Sequence, residues 1–232
     1  MRSYSYLCTM KQIFKTLSVY SVAYLVLLAV VLGLLYTYPK PELHMMLNSH
    51  HTGFQDVFFR YYSVLAEWPV YILALLPLIW KRKELTIFFA MSELSSAVVV
   101  RILKLIYHAP RPVVVFEDYP NMLLPLVDGV EMRHSNSFPS GHTSTFFVFF
   151  TCCALLLAYY YLHANRERNW RTWMVFSLGS LVLLAMAALG GYSRIYLSQH
   201  FMQDVCVGSI IGFTMPWLVY SLSRNKILKL EK

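Results

Sequence analysis

An all-α bundle of about six transmembrane helices is the fold this sequence predicts, and three observations predict it. The chain of 232 residues is 57% hydrophobic and only 14% charged, against about 25% charged in ordinary soluble domains. Its apolar residues fall into long runs, several near the roughly 20 residues a helix needs to cross a bilayer. The basic residues behind the net charge of +8 sit in small clusters at the ends of those runs, where topology anchors stand. That distribution also argues against a nucleic-acid partner, which calls for a basic patch or stripe.

The spans follow in order. Residues 16–38 carry no charge. They are too long for the apolar core of a cleavable signal, and Thr37-Tyr38-Pro39-Lys40 is a poor cleavage site, so a signal anchor is expected. A second span covers about 61–80, with Glu67 near its start, and a third covers 85–103, with Glu93 inside it. Only Lys81-Arg82-Lys83-Glu84 joins these two, which makes them an antiparallel pair. The fourth starts just after Pro139 and reaches about Leu162; the fifth covers about 173–192 and the sixth about 199–222. Cys152, Cys153 and Cys206 fall inside apolar runs as small hydrophobes, Cys8 lies in the basic amino-terminal segment, and no spacing suggests zinc or a disulfide framework. No repeats or Gly/Ser linkers interrupt the chain. One membrane-embedded domain over residues 1–232 is expected, with its motif-bearing core at about 85–222.

Charge sets the orientation. With the amino terminus inside, the inner segments hold Arg2, Lys11 and Lys15; Lys81, Arg82 and Lys83; Arg166, Arg168 and Arg171; and Arg224, Lys226, Lys229 and Lys232. The outer segments hold Lys40, Arg60, Arg101, Lys104, Arg111, Arg133 and Arg194. The positive-inside rule favours this arrangement, with both termini cytoplasmic.

Three polar islands break the apolar pattern: Lys104-x6-Arg111-Pro112, Pro139-Ser140-Gly141-His142, and Ser193-Arg194-x5-His200-x3-Asp204. Under this topology all three land on the outer side. His200 and Asp204 are four residues apart, so on a helix they share a face. The carboxylate can then fix the imidazole tautomer and leave the other ring nitrogen as a nucleophile. The Pro139–His142 island opens a helix, where glycine permits close approach and free N–H groups bind anions. Ser140 can add a hydroxyl donor, and His142 stands where it can protonate a leaving oxygen. Arg111 and Arg194 can hold phosphate oxygens in a fork and Lys104 can act as a point charge. Pro110 and Pro112 place Arg111 on an extended segment. Each island alone has an ordinary explanation: a helical His–Asp pair, a Pro-Gly cap, or snorkelling cations.

Together the ordered triplet resembles the signature of the type 2 phosphatidic acid phosphatase superfamily, and this chain matches it at every specified position from Lys104 to Asp204. The six-span layout is similar to bacterial membrane members of that family. The resemblance implies a metal-independent lipid phosphate phosphatase with no cofactor. His200 would form a phosphohistidine, Asp204 would support it, and His142 would protonate the leaving group and then activate water. Lys104, Arg111, Ser140, Gly141 and Arg194 would bind the phosphate. It also implies a lipid phosphate as substrate amid membrane lipids, while the short, compact layout leads us to expect a bacterial inner membrane, with the site on the periplasmic side that the charge distribution assigns. Undecaprenyl pyrophosphate, phosphatidylglycerol phosphate, phosphatidic acid and lipid A phosphates are all compatible with the family. A phosphotransferase built on the same site, a vanadium haloperoxidase, and a non-catalytic lipid-binding or transport protein are the alternatives. Six spans argue against the haloperoxidase, and the intact His142, His200 and Asp204 against a non-catalytic protein.

Other polar residues stand apart from the islands. Glu93 lies three helical turns before Lys104, so the two face the same way. It is either a functional carboxylate, a tie to a neighbouring span, or a protonated acid. Glu67, beside Trp68-Pro69, reads as an interface residue. His44, His50, His51 and Asp56 fit no standard metal spacing and read as a solvated loop. Residues 54–62 mix aromatic and charged side chains, as an interfacial segment does. The long loop 108–139, with Glu117, Asp118, Asp128, Glu131, Arg133 and His134, feeds the helix-start motif and is the natural place for head-group selection.

Overall fold

The structure, a computed structural model, describes residues 10–163 and 169–227. Arg2, Cys8, Arg166, Arg168, Lys229 and Lys232 lie outside the described residues. Ten α-helices and one 3-10 turn make up the described chain: α1 Met10–Thr16, α2 Ser18–Thr37, α3 Lys40–Leu47, α4 Gly53–Val64, α5 Trp68–Lys81, α6 Lys83–Tyr107, α7 Pro112–Val115, α8 Gly141–His163, α9 Trp170–Tyr196 and α10 Met202–Ile227. Five helices are long and apolar enough to cross a membrane: α2, α6, α8, α9 and α10.

The expected second span is where the structure departs from the sequence reading. Instead of one helix over 61–80 there are two, α4 and α5, bent by 62° across a short break. Pro69 occupies the second position of α5 and Glu67 before it is extended, at φ −78 and ψ 142. Proline is accommodated in the first turn of a helix, where its missing N–H would have no intrahelical acceptor, and not in a helix interior, so Pro69 marks a new helix start within the apolar run. The 14 residues of α5 span about 21 Å, short of the roughly 30 Å hydrocarbon core, so α5 alone does not make the expected span and the bent pair is either a broken span or a re-entrant segment. The segment before the expected span, residues 39–60, is also not a loop throughout. Pro41 stands in the first turn of α3, and the Thr52 side chain caps α4 by accepting from the Gln55 N–H.

The solvated-loop expectation holds for His50, which is exposed between α3 and α4, and is corrected for His44 and His51. His44 is 1% exposed, packed against the rings of Phe116 and Phe201, and burial lowers its pKa to about 4. His51 Nδ1 bonds Asp56 Oδ1 at 2.8 Å, and Tyr196 donates to the same oxygen at 2.6 Å. Asn48 Nδ2 donates to Ser198 Oγ at 2.7 Å. These contacts seat α3 and α4 on the Tyr196 end of α9. Among the described residues no group of three or more His, Cys, Asp or Glu is arranged to hold a metal.

Helices α6, α8, α9 and α10 form the centre. Gly208 and Gly212 bring α10 close to α8: a Cβ at Gly208 would lie 2.6 Å from the Ser140 carbonyl oxygen, and one at Gly212 would meet the Ser144 carbonyl. Small residues four apart permit this approach in membrane helices. Because Gly208 is one turn beyond Asp204, the same packing seats Asp204 beneath the start of α8, where the Ser140 N–H donates to the Asp204 carbonyl at 3.0 Å. We expect Gly208→Ala to push the two helices apart at a cost of about 1–3 kcal/mol, read as a lower unfolding temperature in detergent together with lost activity. Around this centre, α2 is mostly peripheral: Val22, Leu25, Val26 and Val30 are each more than half exposed. Two buried hydroxyl pairs fasten it, Tyr20 with Thr151 and Tyr24 with Ser209.

Candidate active site

Because α6 and α9 run toward the end of the bundle where α8 and α10 begin, the three islands meet there. Lys104, Arg111, Gly141, His142, Arg194 and His200 all line one cavity of about 780 Å³. Residues up to 96 positions apart in sequence thus share a wall, as the common side assigned by charge requires.

The third island builds the base of the cavity. Helix α9 ends at Tyr196, and the chain turns through Ser198 at φ 51. The Arg194 carbonyl accepts from both the Gln199 and His200 N–H groups at 3.0 Å, which locks His200 in the linker before α10. His200 is 2% exposed. Its Nδ1 lies 3.4 Å from Asp204 Oδ2 and 3.4 Å from Ser137 Oγ. Ser137 donates its own proton to Asp204 Oδ2 at 2.6 Å, so it offers Nδ1 only a lone pair. Both neighbours of Nδ1 are acceptors, which places the ring proton there and leaves the lone pair on Nε2. The Phe201 N–H donates to the same carboxylate oxygen at 3.0 Å.

His200 lies outside the spanning helices, and burial lowers its pKa to about 3, with Arg111 and Arg194 adding to the drop and Asp204 opposing it. The ring is therefore neutral at pH 7, as a nucleophile must be. The linkage sign follows: an unfolded histidine takes up a proton near pH 6.5, whereas the folded one resists down to about 3. Stability supplied by this site is present above pH 6.5 and is lost as pH falls toward 3. Thermal unfolding of the wild type should decline more steeply between pH 7 and 5 than that of His200→Phe.

Backbone carbonyls hold two of the three cations, Arg111 and Lys104. Arg111, extended at φ −88 and ψ 165 as the flanking prolines predict, is 4% exposed. Its Nε donates to the Ser135 carbonyl and its Nη1 to the Gln199 carbonyl and side-chain oxygen, each at 3.0 Å. Lys104 Nζ donates to the Asn136 carbonyl at 2.7 Å. Arg194 is 7% exposed, yet its Nε has no hydrogen-bond partner. A buried guanidinium nitrogen without an acceptor costs free energy unless a ligand supplies one.

The second island opens α8 after the cis Phe138–Pro139 bond. Gly141 and His142 are the first two helical residues, where N–H groups have no acceptor within the helix. Ser140 is fully buried; its Oγ accepts from Thr143 Oγ1 at 2.9 Å, and it is not among the residues lining the cavity. Ser140 acts here as the helix cap. Two contributors escaped the sequence reading, Ser137 and Gln199, while Arg133, expected only in the head-group loop, lines the cavity as Gln199 does. The sole sequence signal of Ser137 and Gln199 is adjacency to the islands, since their partners lie on other segments.

A polytopic helix bundle with a histidine–aspartate pair and a cation-lined cavity at one end is the class that fold and site define. The profile of the PAP2 superfamily matches residues 85–228, and the chain belongs to that family. This confirms the resemblance carried by the three motifs. Among solved structures it is similar to LpxE of Aquifex aeolicus, with TM-score 0.61 and 26% identity over 80% of this chain and 97% of that one. It is also similar to a transmembrane PAP2-type phosphatidylglycerolphosphate phosphatase of Bacillus subtilis, with TM-score 0.58 over 92% of this chain and 98% of that one; at 18% identity this likeness bears on the fold alone. Among curated proteins it is 31% identical over 104 residues to a probable diacylglycerol pyrophosphate phosphatase 1 of Schizosaccharomyces pombe, covering 44% of this chain and 36% of that relative's length. With its long apolar helices and neighbours of this fold, the chain is an integral membrane protein.

Proposed function

We propose that this protein is a membrane phosphatase that hydrolyses a phosphate mono- or pyrophosphate ester of a lipid through a phosphohistidine on His200. The observation that carries this is the meeting of both island histidines and three cations in one cavity, with His200 Nδ1 turned toward Asp204. In the first step His200 Nε2 attacks phosphorus while the bond to the lipid oxygen breaks, and His142 gives that oxygen its proton. Asp204 stabilises the charge that develops on the His200 ring. In the second step His142, now neutral, takes a proton from water as the water oxygen attacks phosphorus. The P–N bond breaks and free phosphate leaves. Lys104, Arg111 and Arg194, with the Gly141 and His142 N–H groups, neutralise the equatorial oxygens in both steps, which is electrostatic work a metal would otherwise do. Ser140 contributes by holding the start of α8 in place.

A lipid substrate suits the position of the cavity, whose wall continues from the cations onto Val64, Ala66, Trp68 and Val100. The charge distribution favours cytoplasmic termini and a periplasmic site in a bacterial inner membrane. The described helices pack about one centre, which supports a single catalytic domain over the chain. Purified protein in detergent should release inorganic phosphate from a lipid phosphate equally well with and without a chelator. Orthovanadate should inhibit it competitively, since five-coordinate vanadate resembles phosphorus under attack. Loss of activity in chelator, restored by a divalent cation, would contradict the metal-independent mechanism.

A further inference from the structure

We propose that Glu93 is a specificity-determining residue that accepts a hydrogen bond from a hydroxyl or amide N–H borne by the substrate alcohol next to its phosphate ester. The inference rests on the phosphatase reading above and narrows its substrate class. Glu93 lies midway along α6 and is 6% exposed. One carboxyl oxygen, Oε1, accepts from Thr145 Oγ1 at 2.6 Å. The other, Oε2, is buried with no hydrogen-bond partner. Glu93 lines the same cavity as His142 and His200.

Its depth follows from helix geometry. Thr145 is three residues beyond His142 on α8, a rise of about 4.5 Å, so the Glu93 carboxyl sits about one turn deeper in the bundle than the leaving-group acid. Val100 of α6 packs beside Gly141, level with the proposed phosphate, and Lys104 lies one turn further out. The cations therefore crowd the outer end, and the unpaired oxygen stands on the membrane side of His142. If the lipid alcohol departs toward the membrane, its first carbons pass Glu93.

No described hydroxyl lies in hydrogen-bonding position to Oε2, and the hydroxyls of Ser96 and Ser144 are engaged with each other instead. A tie between α6 and α8 explains the bond from Thr145 but not the second oxygen, whose burial without a donor is costly. A ligand donor completes it. Polyprenyl phosphates and diacylglycerol phosphates carry no donor on the carbons beside the ester. Lipids with a free hydroxyl or an amide there do.

The test compares 1-oleoyl lysophosphatidic acid with its 2-deoxy analogue in detergent micelles, which differ only in the neighbouring hydroxyl. The wild type should favour the hydroxyl substrate in kcat/KM by about tenfold or more, the scale of a hydrogen bond to a charged group. The preference should fall toward parity in Glu93→Ala and to an intermediate value in Glu93→Gln, which keeps the Thr145 contact and the size of the side chain. Glu93→Gln carries the test should the alanine variant fail to fold. A wild-type preference under about twofold, or a preference unchanged in a folded Glu93 variant, overturns the proposal. Hydrolysis of neither substrate by a wild type that does release phosphate from another lipid phosphate overturns the proposal alone; release from no lipid phosphate overturns the phosphatase reading, and the proposal with it.

Discussion

His200→Ala should lower kcat by about 10⁴-fold or more, the scale seen when a nucleophile acting within a coupled unit is removed. The side chain is buried between α9 and α10, so its loss also leaves a small void, and the variant must be shown to fold by its thermal unfolding. His200→Asn is the useful companion. It retains a polar group near Asp204 but supplies no imidazole nitrogen, so it should be as inactive as the alanine variant. Activity within tenfold of wild type in either folded variant would remove His200 from the chemistry.

His142→Ala carries the second large effect, and its size should depend on the leaving group. A general acid contributes about 10² to 10⁴ in rate when the departing oxygen is basic. Lipid alcohols are poor leaving groups, so phosphate release from them should fall by that factor. With p-nitrophenyl phosphate, whose phenolate leaves without help, the first step should proceed and a fast burst of nitrophenolate should precede slow turnover, because the second step still needs His142 as base. Equal losses on both substrates, with no burst, would assign His142 to binding. Its place at the first turn of α8, lining the cavity with His200, is the arrangement that makes a proton-transfer role reachable.

How much of this was legible beforehand depends on where each residue finds its partners. The islands could be read because their residue types are expensive at a membrane edge and because span count and basic clusters put them on one side. The extended Arg111 could be read from Pro110 and Pro112, which act locally. Ser137 could not, since its partner Asp204 is 67 residues away and a serine in a loop carries no pattern. The segment from His44 to Asp56 misled for the same reason. His44, His51 and Asp56 look solvated in a polar stretch, but Tyr196, Phe116 and Phe201 arrive from distant segments to cover or pair with them. The bend between α4 and α5 was encoded at Trp68-Pro69, yet the hydrophobic run continues across it and hides the break.

The proposed phosphohistidine requires two displacements at phosphorus, the first by His200. Each in-line attack inverts the phosphorus centre, so two in succession restore it. Hydrolysis of a lipid phosphorothioate made chiral with oxygen isotopes, in isotopically labelled water, reads this directly from the released thiophosphate. Net retention of configuration is the predicted result; net inversion would mean that water attacks the lipid phosphate in one step and would contradict the phosphohistidine.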